Sequence, residues 1–270
     1  MPSFFNDPRF KHHRRLIMAM GVGSVVLGVY MVLPIGWRHY EHLKGMAGRP
    51  MVTRTKQGIP GDPINFGLTG SREEVFCAFG AAGWRAANPV TFASSLKIAG
   101  SVAFHRPYAA APVSPLYYDG RAEDLAFELE AGRSAQIRHH VRLWRVSPGQ
   151  WLGSSSFDKG VGVSHYTLRV THHVDPDLDA ERDSLADALA RTGYIRTRYE
   201  ISGVGPTLNG RNGGGDPYFT DGEVEIEALT PSCHAAPGQA PQVLANPWQV
   251  TLKNAVWRAA RKAKAMLGLV

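Results

Sequence analysis

The chain has 270 residues, of which 44% are hydrophobic and 20% charged, a composition that suits one medium-sized globular domain with appendages and excludes a chain disordered throughout. Its formal net charge of +7 comes from the two ends, because residues 1–56 hold nine Lys/Arg against two acids and residues 248–270 hold five Lys/Arg and no acid. Residues 57–247 carry 16 Lys/Arg against 21 acids, so the globular part lacks the basic excess of a nucleic-acid-binding protein, and no nucleic-acid partner is predicted.

The segment 16–37 predicts one transmembrane helix, preceded by a basic segment over 1–15. The 22 residues of this segment carry no charged side chain, and a helix of that length spans about 33 Å, enough for the hydrocarbon core of a bilayer. The apolar run exceeds the roughly 7–15 residues of a cleaved signal peptide, and no small-residue cleavage site follows it. A slight excess of Lys/Arg before the helix favours a cytoplasmic amino terminus, so we expect a membrane protein with its domain on the extracytoplasmic side.

The remaining chain divides by composition. Residues 38–61 predict a linker, 62–230 a folded domain, 231–247 a Pro/Ala-rich loop and 248–270 a basic amphipathic helix. That last helix fits an anionic lipid surface, and it equally fits a solvated helix docked on its own domain. The lipid membrane is therefore the first partner that the sequence predicts.

Strand and helix patterns follow one another through the domain. Two helices are predicted, the first capped by Ser71 with Glu74 and ended by Gly83, the second capped by Asp175 with Pro176 at its first position. Alternating or apolar runs predict strands at 64–68, 125–130, 137–146, 162–174, 194–201 and 223–229. Several consecutive strands with two packed helices predict an α+β fold with a mostly antiparallel or mixed sheet.

Several separated motifs occur in a recognisable order: Asp62-Pro63-Ile64-Asn65, 111–117, Asp124-Leu125-Ala126-Phe127, Arg138-His139-His140-Val141-Arg142, 171–183 and 205–216. Together they resemble the bacterial LssY-like C-terminal domain family over roughly residues 60–230 of this chain. Members of that family often follow multi-spanning membrane domains, including type 2 phosphatidic acid phosphatases, and the resemblance implies a domain without a defined reaction. A single helix stands in place of such a partner here and the phosphatase signature is absent, so phosphatase activity is not implied.

Histidines and arginines concentrate on two of the predicted strands. Alternation places His140 and Arg142 on one face of the first strand, opposite His139, Val141 and Leu143. If the two strands pair, one surface carries the side chains of His140, Arg142, His165, Arg169 and His173. Arginine forks and imidazoles on a rigid sheet suit a phosphate or carboxylate ligand, although a solvated sheet face would show the same pattern.

Known catalytic spacings are absent from the sequence. We find one His-x-Thr motif where phosphoesterases need two, no His-Glu-x-x-His zinc motif and no Gly-x-Ser-x-Gly elbow. No metal site and no cofactor are predicted, although ligands assembled from distant strands would escape such a search. Asp175, Asp177 and Asp179 resemble the opening of a calcium loop, but helix capping explains them. In the absence of a known catalytic motif, the candidate catalytic residues are His140, His173 and Asp175.

A glycine-rich stretch, 203–215, holds six glycines in thirteen residues without the Gly-Lys-Ser/Thr of a phosphate loop. Within or beside it, Arg211, Asn212 and Asp216 are ligand-binding candidates, and a buried Arg211 would need a partner such as Asp216. Outside this stretch lie the two cysteines. Cys77 fits a small core residue, and the sequence leaves a disulfide with Cys233 open.

These patterns favour an envelope protein that binds an anionic, phosphorylated or glycan-like ligand or a membrane protein partner. The alternative is a hydrolase that uses His140 or His173 as general base, with Arg142 or Arg211 stabilising anionic charge. A third class, a structural subunit of a membrane assembly, would instead expose a large apolar patch. The sequence leaves open whether the protein is an enzyme.

Overall fold

A computed structural model describes residues 8–28, 48–87, 115–131, 136–168 and 170–268. The chain forms two units, one comprising Met1–Glu41 with Pro247–Val270 and the other His42–Asn246.

The described residues of the first unit form α1 (Pro8–Leu27) and a helix near the carboxyl end (Trp248–Met266). Along α1 the large apolar side chains that the structure describes are exposed, namely Leu16, Ile17, Met18, Met20, Val22, Val25 and Leu27, with Ile17 at 68% and Val22 at 64%. Positions 29–37 of the predicted transmembrane segment lie outside the described residues. No helix among the described residues is long and apolar enough to cross a membrane.

A helix lies over Trp248–Met266, within the range predicted to be helical. Val250 and Trp257 are buried, at 7% and 3% exposed, whereas Leu252, Val256 and Met266 are exposed. The buried positions of this helix, which are Val250, Lys253, Asn254 and Trp257, are spaced by three and four residues and so share one helical face.

The second unit is built mainly of strands. Its helices are α2 (Arg72–Ala81) and α3 (Leu178–Ala190), and the helix Trp248–Met266 of the first unit is numbered α4. Its strands are β1 (Val52–Arg54), β2 (Pro60–Pro63), β3 (Phe66–Thr69), β4 (Arg85–Ala86), β5 (Tyr117–Tyr118), β6 (Arg121–Ala122), β7 (Leu125–Glu130), β8 (Arg138–Ser147), β9 (Gln150–Val163), β10 (Val170–Val174), β11 (Ile195–Ser202), β12 (Thr207–Arg211), β13 (Pro217–Thr220), β14 (Glu223–Leu229) and β15 (Gln242–Val243).

The main sheet has the strand order β15-β11-β14-β3-β9-β8-β7-β4, and β10 pairs with the second half of β9. Strand β14 runs parallel to β3, and β11 runs parallel to β15, whereas the other neighbours are antiparallel. This sheet, with its packed helices, confirms the predicted α+β class.

Both faces of the main sheet are covered. Phe66, Phe127 and Val141 pack with residues of α2 and α3 in one apolar cluster, whereas Trp144 and Ile226 belong to a second cluster with Tyr118 of β5. Successive residues of a strand point to opposite faces, so the alternation predicted for the 137–146 strand is confirmed. The face that carries Trp144 is also the face of His140 and Arg142.

A second, smaller sheet lies where a linker was predicted. Strands β2, β1, β5 and β6 follow one another in it, and β1 pairs antiparallel with β2. The prediction of a linker over 38–61 therefore misses β1 and the start of β2. Its Gly and Pro residues form the turn and the edge of a short hairpin, a place where sheets tolerate them.

The two predicted helices of the domain are present. Ser71 and Glu74 form the expected capping box of α2, in which the Ser71 side chain accepts from the Glu74 amide and the Glu74 carboxylate accepts from the Ser71 amide. Helix α3 begins two residues later than expected, because Asp177 rather than Asp175 caps it by accepting from the Ala180 amide. Asp175 instead accepts from the Asp177 amide.

The strand predicted over 162–174 is two strands. Strand β9 ends at Val163, a turn covers 164–168, and β10 begins at Val170. Leu168 in this turn has a φ of 54°, a left-handed conformation that breaks the period of two. His165 therefore lies in a turn, and the face assigned to it by alternation was wrong.

Buried ion pairs attach α3 to the main sheet. Arg182 of α3 donates to both carboxylate oxygens of Asp221, at 2.8 and 3.2 Å. Burial and the Asp221 charge raise the pKa of Asp179 to about 6, although Arg182 lowers it. On β14, burial raises the pKa of Glu225 to about 7 against the opposing effect of Arg198.

A disulfide joins Cys77 of α2 to Cys233, across 156 positions of sequence. Cys77 is half-buried, so the expectation of a small core residue was wrong, and the pairing that the sequence left open is present. A cross-link between such distant positions restricts the unfolded chain.

We expect reduction of this disulfide to destabilise the domain by about 2–5 kcal/mol, because the unfolded chain regains the entropy of a long loop. Thermal unfolding of the full chain with and without a reductant measures this effect. The Cys77→Ser/Cys233→Ser double variant should melt at the temperature of the reduced wild type and should not respond to reductant. Two free thiols in the unreduced protein would contradict the pairing.

Candidate functional site

A polar cavity of about 340 Å³ lies against the face of the main sheet that carries His140 and Arg142. Arg138, His140 and Arg142 alternate along β8, and in the register of the sheet they lie opposite Asp158, Ser156 and Ser154 of β9. The lining consists of residues from the small sheet, β8, β9, β10, the 164–168 turn and the glycine-rich stretch, namely Thr55, Lys56, Gln57, Asp62, Pro115, Leu116, Arg138, His140, Arg142, Asp158, Ser164, Thr167, Val170, Thr171, His172, Val174, Asn212, Gly213 and Gly214.

Arg138 is a buried cation held between two buried carboxylates. Its Nη1 donates to Glu128 Oε2 at 2.7 Å, and its Nε donates to Asp158 Oδ2 at 3.0 Å. Burial alone would raise the pKa of Asp158. The pKa nevertheless lies below its ordinary range, because His140 and the nearby charge of Arg138 lower it. Asp158 is therefore ionised at neutral pH, and the guanidinium charge is matched across β7, β8 and β9.

His140 contacts both Arg142 and Asp158. Arg142 Nη1 lies 2.9 Å from His140 Nε2, and since a guanidinium can only donate, this ring nitrogen accepts. The other ring nitrogen, Nδ1, lies 3.3 Å from Asp158 Oδ2. The Nε2 atom of His140 is thus turned to Arg142, and its Nδ1 atom is turned to Asp158.

Asp62 extends the polar face from the small sheet. Its Oδ2 lies 3.5 Å from Arg142 Nη1 and 3.5 Å from Ser156 Oγ, both at the long limit of hydrogen bonding. Asp62 is 6% exposed. Because β2 positions it, the hairpin missed by the sequence analysis supplies one wall of the cavity.

The glycine-rich stretch forms another wall. Asn212 Oδ1 accepts from the amides of Gly214 and Asp216, each at 2.9 Å, and so closes a tight turn. A side chain at Gly213 would place its Cβ 2.5 Å from Thr55 Cγ2. This close approach requires glycine and lets the turn reach the small sheet.

A second cluster joins His165, His173 and Asp216. His173 Nδ1 lies 2.6 Å from Asp216 Oδ1, and His165 Nε2 lies 4.0 Å from the same oxygen. Asp216 Oδ2 accepts from the Val174 amide at 3.2 Å. None of these three side chains is part of the cavity lining, although their neighbours Ser164 and Gly214 are.

The expected shared surface is therefore divided. His140 and Arg142 lie in the cavity, whereas His165 and His173 form the cluster with Asp216. Arg169 lies outside the described residues. Asn212 lines the cavity. Arg211 is exposed and donates to the Gly215 carbonyl at 2.7 Å. The expected ion pair between Arg211 and Asp216 is absent among the described residues. Asp175 lies two residues before the N-cap of α3 and does not line the cavity.

Sequence reasoning missed Arg138, Asp158 and Asp62. Arg138 lies within the predicted strand 137–146 and has the same parity as His140 and Arg142, so the alternation places it on their face. Asp158 belongs to a Ser/Gly-rich strand without an apolar alternation, and Asp62 follows a Gly/Pro pattern typical of a loop. Of these three residues, only Arg138 could have been found from the sequence, by the alternation along its strand.

A family model described as LssY C-terminus matches residues 45–224. No curated protein and no solved structure matches the chain. The match extends the resemblance seen in the motifs to both β1 and β2.

We expect Arg138→Met to destabilise the fold by about 3–5 kcal/mol, because Glu128 and Asp158 would remain buried without their shared cation. Arg145→Met, on the same strand but exposed, should change the stability by about 0.5 kcal/mol or less. Urea unfolding of the full chain measures both. Equal losses in the two variants would show that the buried network does not hold the sheet.

Proposed function

We propose that this chain, which belongs to the LssY C-terminus family, is a membrane-anchored envelope protein whose domain binds an anionic, phosphorylated or glycan-like ligand. The observation that carries this proposal is the polar cavity on the buried arginine and histidine face of β8. Its volume of about 340 Å³ suits a small molecule rather than a polymer segment.

The charges of the cavity lining favour an anion. Three cationic side chains, Lys56, Arg138 and Arg142, face two carboxylates, Asp62 and Asp158. Two imidazoles, those of His140 and His172, also line the cavity. We assign anion recognition to Arg142 and Lys56, which line the cavity from β8 and from the turn between β1 and β2.

The same lining supports recognition of hydroxyl groups. Thr55, Ser164, Thr167 and Thr171 offer hydroxyls, and the Asn212 turn brings the backbone of Gly213 and Gly214 to the wall. A ligand with an anionic group and several hydroxyls, such as a sugar phosphate or an acidic glycan, could use both kinds of partner. This combination distinguishes the cavity from a site for a simple inorganic anion.

The geometry favours binding over the hydrolase alternative. A general base needs a lone pair directed at the substrate, but His140 Nε2 accepts a hydrogen bond from Arg142. The other proposed base, His173, contacts Asp216 through Nδ1 and is not part of the cavity lining. Arg211, proposed to stabilise charge, is exposed and bonded to a backbone carbonyl.

We expect Lys56→Ala to weaken binding of sugar phosphates or acidic glycans roughly tenfold, about 1.4 kcal/mol, through loss of one cation at the rim. Lys159→Ala is the matched control, since both lysines are exposed and only Lys56 lines the cavity. Titration calorimetry of the full chain against a panel of such compounds measures the affinities.

Binding that both variants weaken equally would indicate unspecific attraction by surface charge. If no compound of the panel binds the wild type, a membrane protein partner replaces the small ligand as the proposal for this domain.

The membrane anchor is supported by the exposed apolar side chains of α1. Leu16, Ile17, Val22 and Val25 are each more than half exposed, and so many large apolar side chains on one segment favour a lipid environment over water. The Cys77–Cys233 disulfide supports the extracytoplasmic side, because disulfides persist in oxidising compartments. A domain on the extracytoplasmic side corresponds to a cytoplasmic amino terminus for a chain with one span.

We expect Val22→Lys/Val25→Lys to shift the protein from the carbonate-washed membrane fraction to the soluble fraction, since each lysine at the centre of a span costs about 3 kcal/mol. Val243→Lys is the control, because Val243 is similarly exposed, at 68% as against 64% for Val22 and Val25, but belongs to β15 and not to the apolar segment. Membrane fractionation with immunodetection measures the distribution. Retention of the double variant in washed membranes would contradict an anchor at 16–37.

A further inference from the structure

The cluster of His165, His173 and Asp216 brings together three ligand atoms from three separate chain segments. These atoms all lie within 4.8 Å of one another. His165 comes from the 164–168 turn, His173 from β10 and Asp216 from the end of the glycine-rich stretch. In the part of the chain that the structure describes, this is the one group of three such residues so arranged.

We propose that His165 Nε2, His173 Nδ1 and one carboxylate oxygen of Asp216 form a binding site for a divalent transition metal ion such as Zn²⁺. The site goes beyond the proposed ligand cavity and does not depend on what the cavity binds. It also departs from the sequence analysis, which searched for local ligand spacings and predicted no metal.

The ligand set and its spacing fit zinc. Imidazole nitrogens and carboxylate oxygens bind Zn²⁺ at about 2.0–2.2 Å, so ligand atoms around a tetrahedral ion lie about 3.3 Å apart. The observed separations from Asp216 Oδ1 are 2.6 Å to His173 and 4.0 Å to His165, on either side of that value. Shifts of under about 1 Å would bring the atoms to coordination distance.

The surroundings hold Asp216 and His173 in place. Asp216 Oδ2 accepts from the Val174 amide, and the Asp216 amide donates to Asn212 Oδ1. The His173 ring lies against Gly162, where an added Cβ would be 2.2 Å from Nε2. Nε2 is thus covered by backbone, and Nδ1 is the nitrogen that faces the proposed ion. Such fixed orientation of ligands favours metal affinity.

His165 completes the site from the solvent side. Its backbone amide donates to the Gly214 carbonyl at 2.9 Å, and its side chain is 61% exposed. Its ring centroid lies 5.9 Å from that of His173. With three protein ligands, a tetrahedral ion retains a fourth position for water or an external ligand. The ion would also add positive charge next to Gly214, a residue of the cavity wall.

The test is titration of ZnCl₂ into the full chain after treatment with EDTA and removal of the chelator, followed by calorimetry. We expect one equivalent to bind to the wild type, with at least tenfold weaker binding for His165→Gln and for Asp216→Asn. Substitution of Co²⁺ for Zn²⁺ gives a second measurement, because tetrahedral coordination by nitrogen and oxygen produces a visible absorption band.

His139→Gln is the matched control. His139 Nδ1 also contacts a carboxylate, Glu181 Oε2, at 2.7 Å, and its side chain is 27% exposed, as against 28% for His173. That pair is not part of a group of three ligands in the described residues. The control should therefore bind zinc as tightly as the wild type.

His165→Gln separates a loss of zinc binding from a folding defect, because His165 is an exposed turn residue. The melting temperature of the metal-free variant is compared with that of the metal-free wild type. Zinc binding that persists unchanged in His165→Gln and Asp216→Asn would overturn the site, as would binding lost equally in His139→Gln. Absence of a stoichiometric binding event in the wild type would also overturn it.

Discussion

The guanidinium of Arg138 joins three neighbouring strands at the centre of the main sheet, through Glu128 on β7 and Asp158 on β9. All three side chains are at most 2% exposed. Burial of such charges is costly unless each is paired, and removal of one partner costs more than the pair contributes. This constraint fixes the register of β7, β8 and β9. It also determines where the remaining polar groups of the face, His140 and Arg142, can lie.

The position of the cavity follows from this network of Arg138, Glu128 and Asp158. Apolar side chains of Tyr118 and Trp144 fill part of the same face, and the polar part is enclosed by the small sheet and by the Asn212 turn. Arg138 contacts two buried carboxylates, whereas Arg142 contacts His140 at 2.9 Å and Asp62 at 3.5 Å. The two arginines of one strand therefore have different roles in our account. One stabilises the sheet and the other faces the ligand.

How much the sequence could predict differs from residue to residue. The faces of β8 were predicted because Val141 and Leu143 alternate with polar residues, and the capping box of α2 because Ser71 and Glu74 have a local spacing. Leu168 in a left-handed turn and Asp62 in a Gly/Pro-rich hairpin left no such pattern. The contact of His173 with Asp216 spans 43 positions, so no spacing rule could find it.

The central claim, that Arg142 meets the ligand while Arg138 holds the sheet, is tested most directly by NMR of the arginine side chains. The Nε–Hε signals of the full chain would be followed during titration with a sugar phosphate, and assigned with Arg142→Lys. Our account predicts a saturable shift of the Arg142 signal and only a small change at Arg138. A ligand that shifts exposed arginines alone, or that shifts Arg138 as strongly as Arg142, would contradict it.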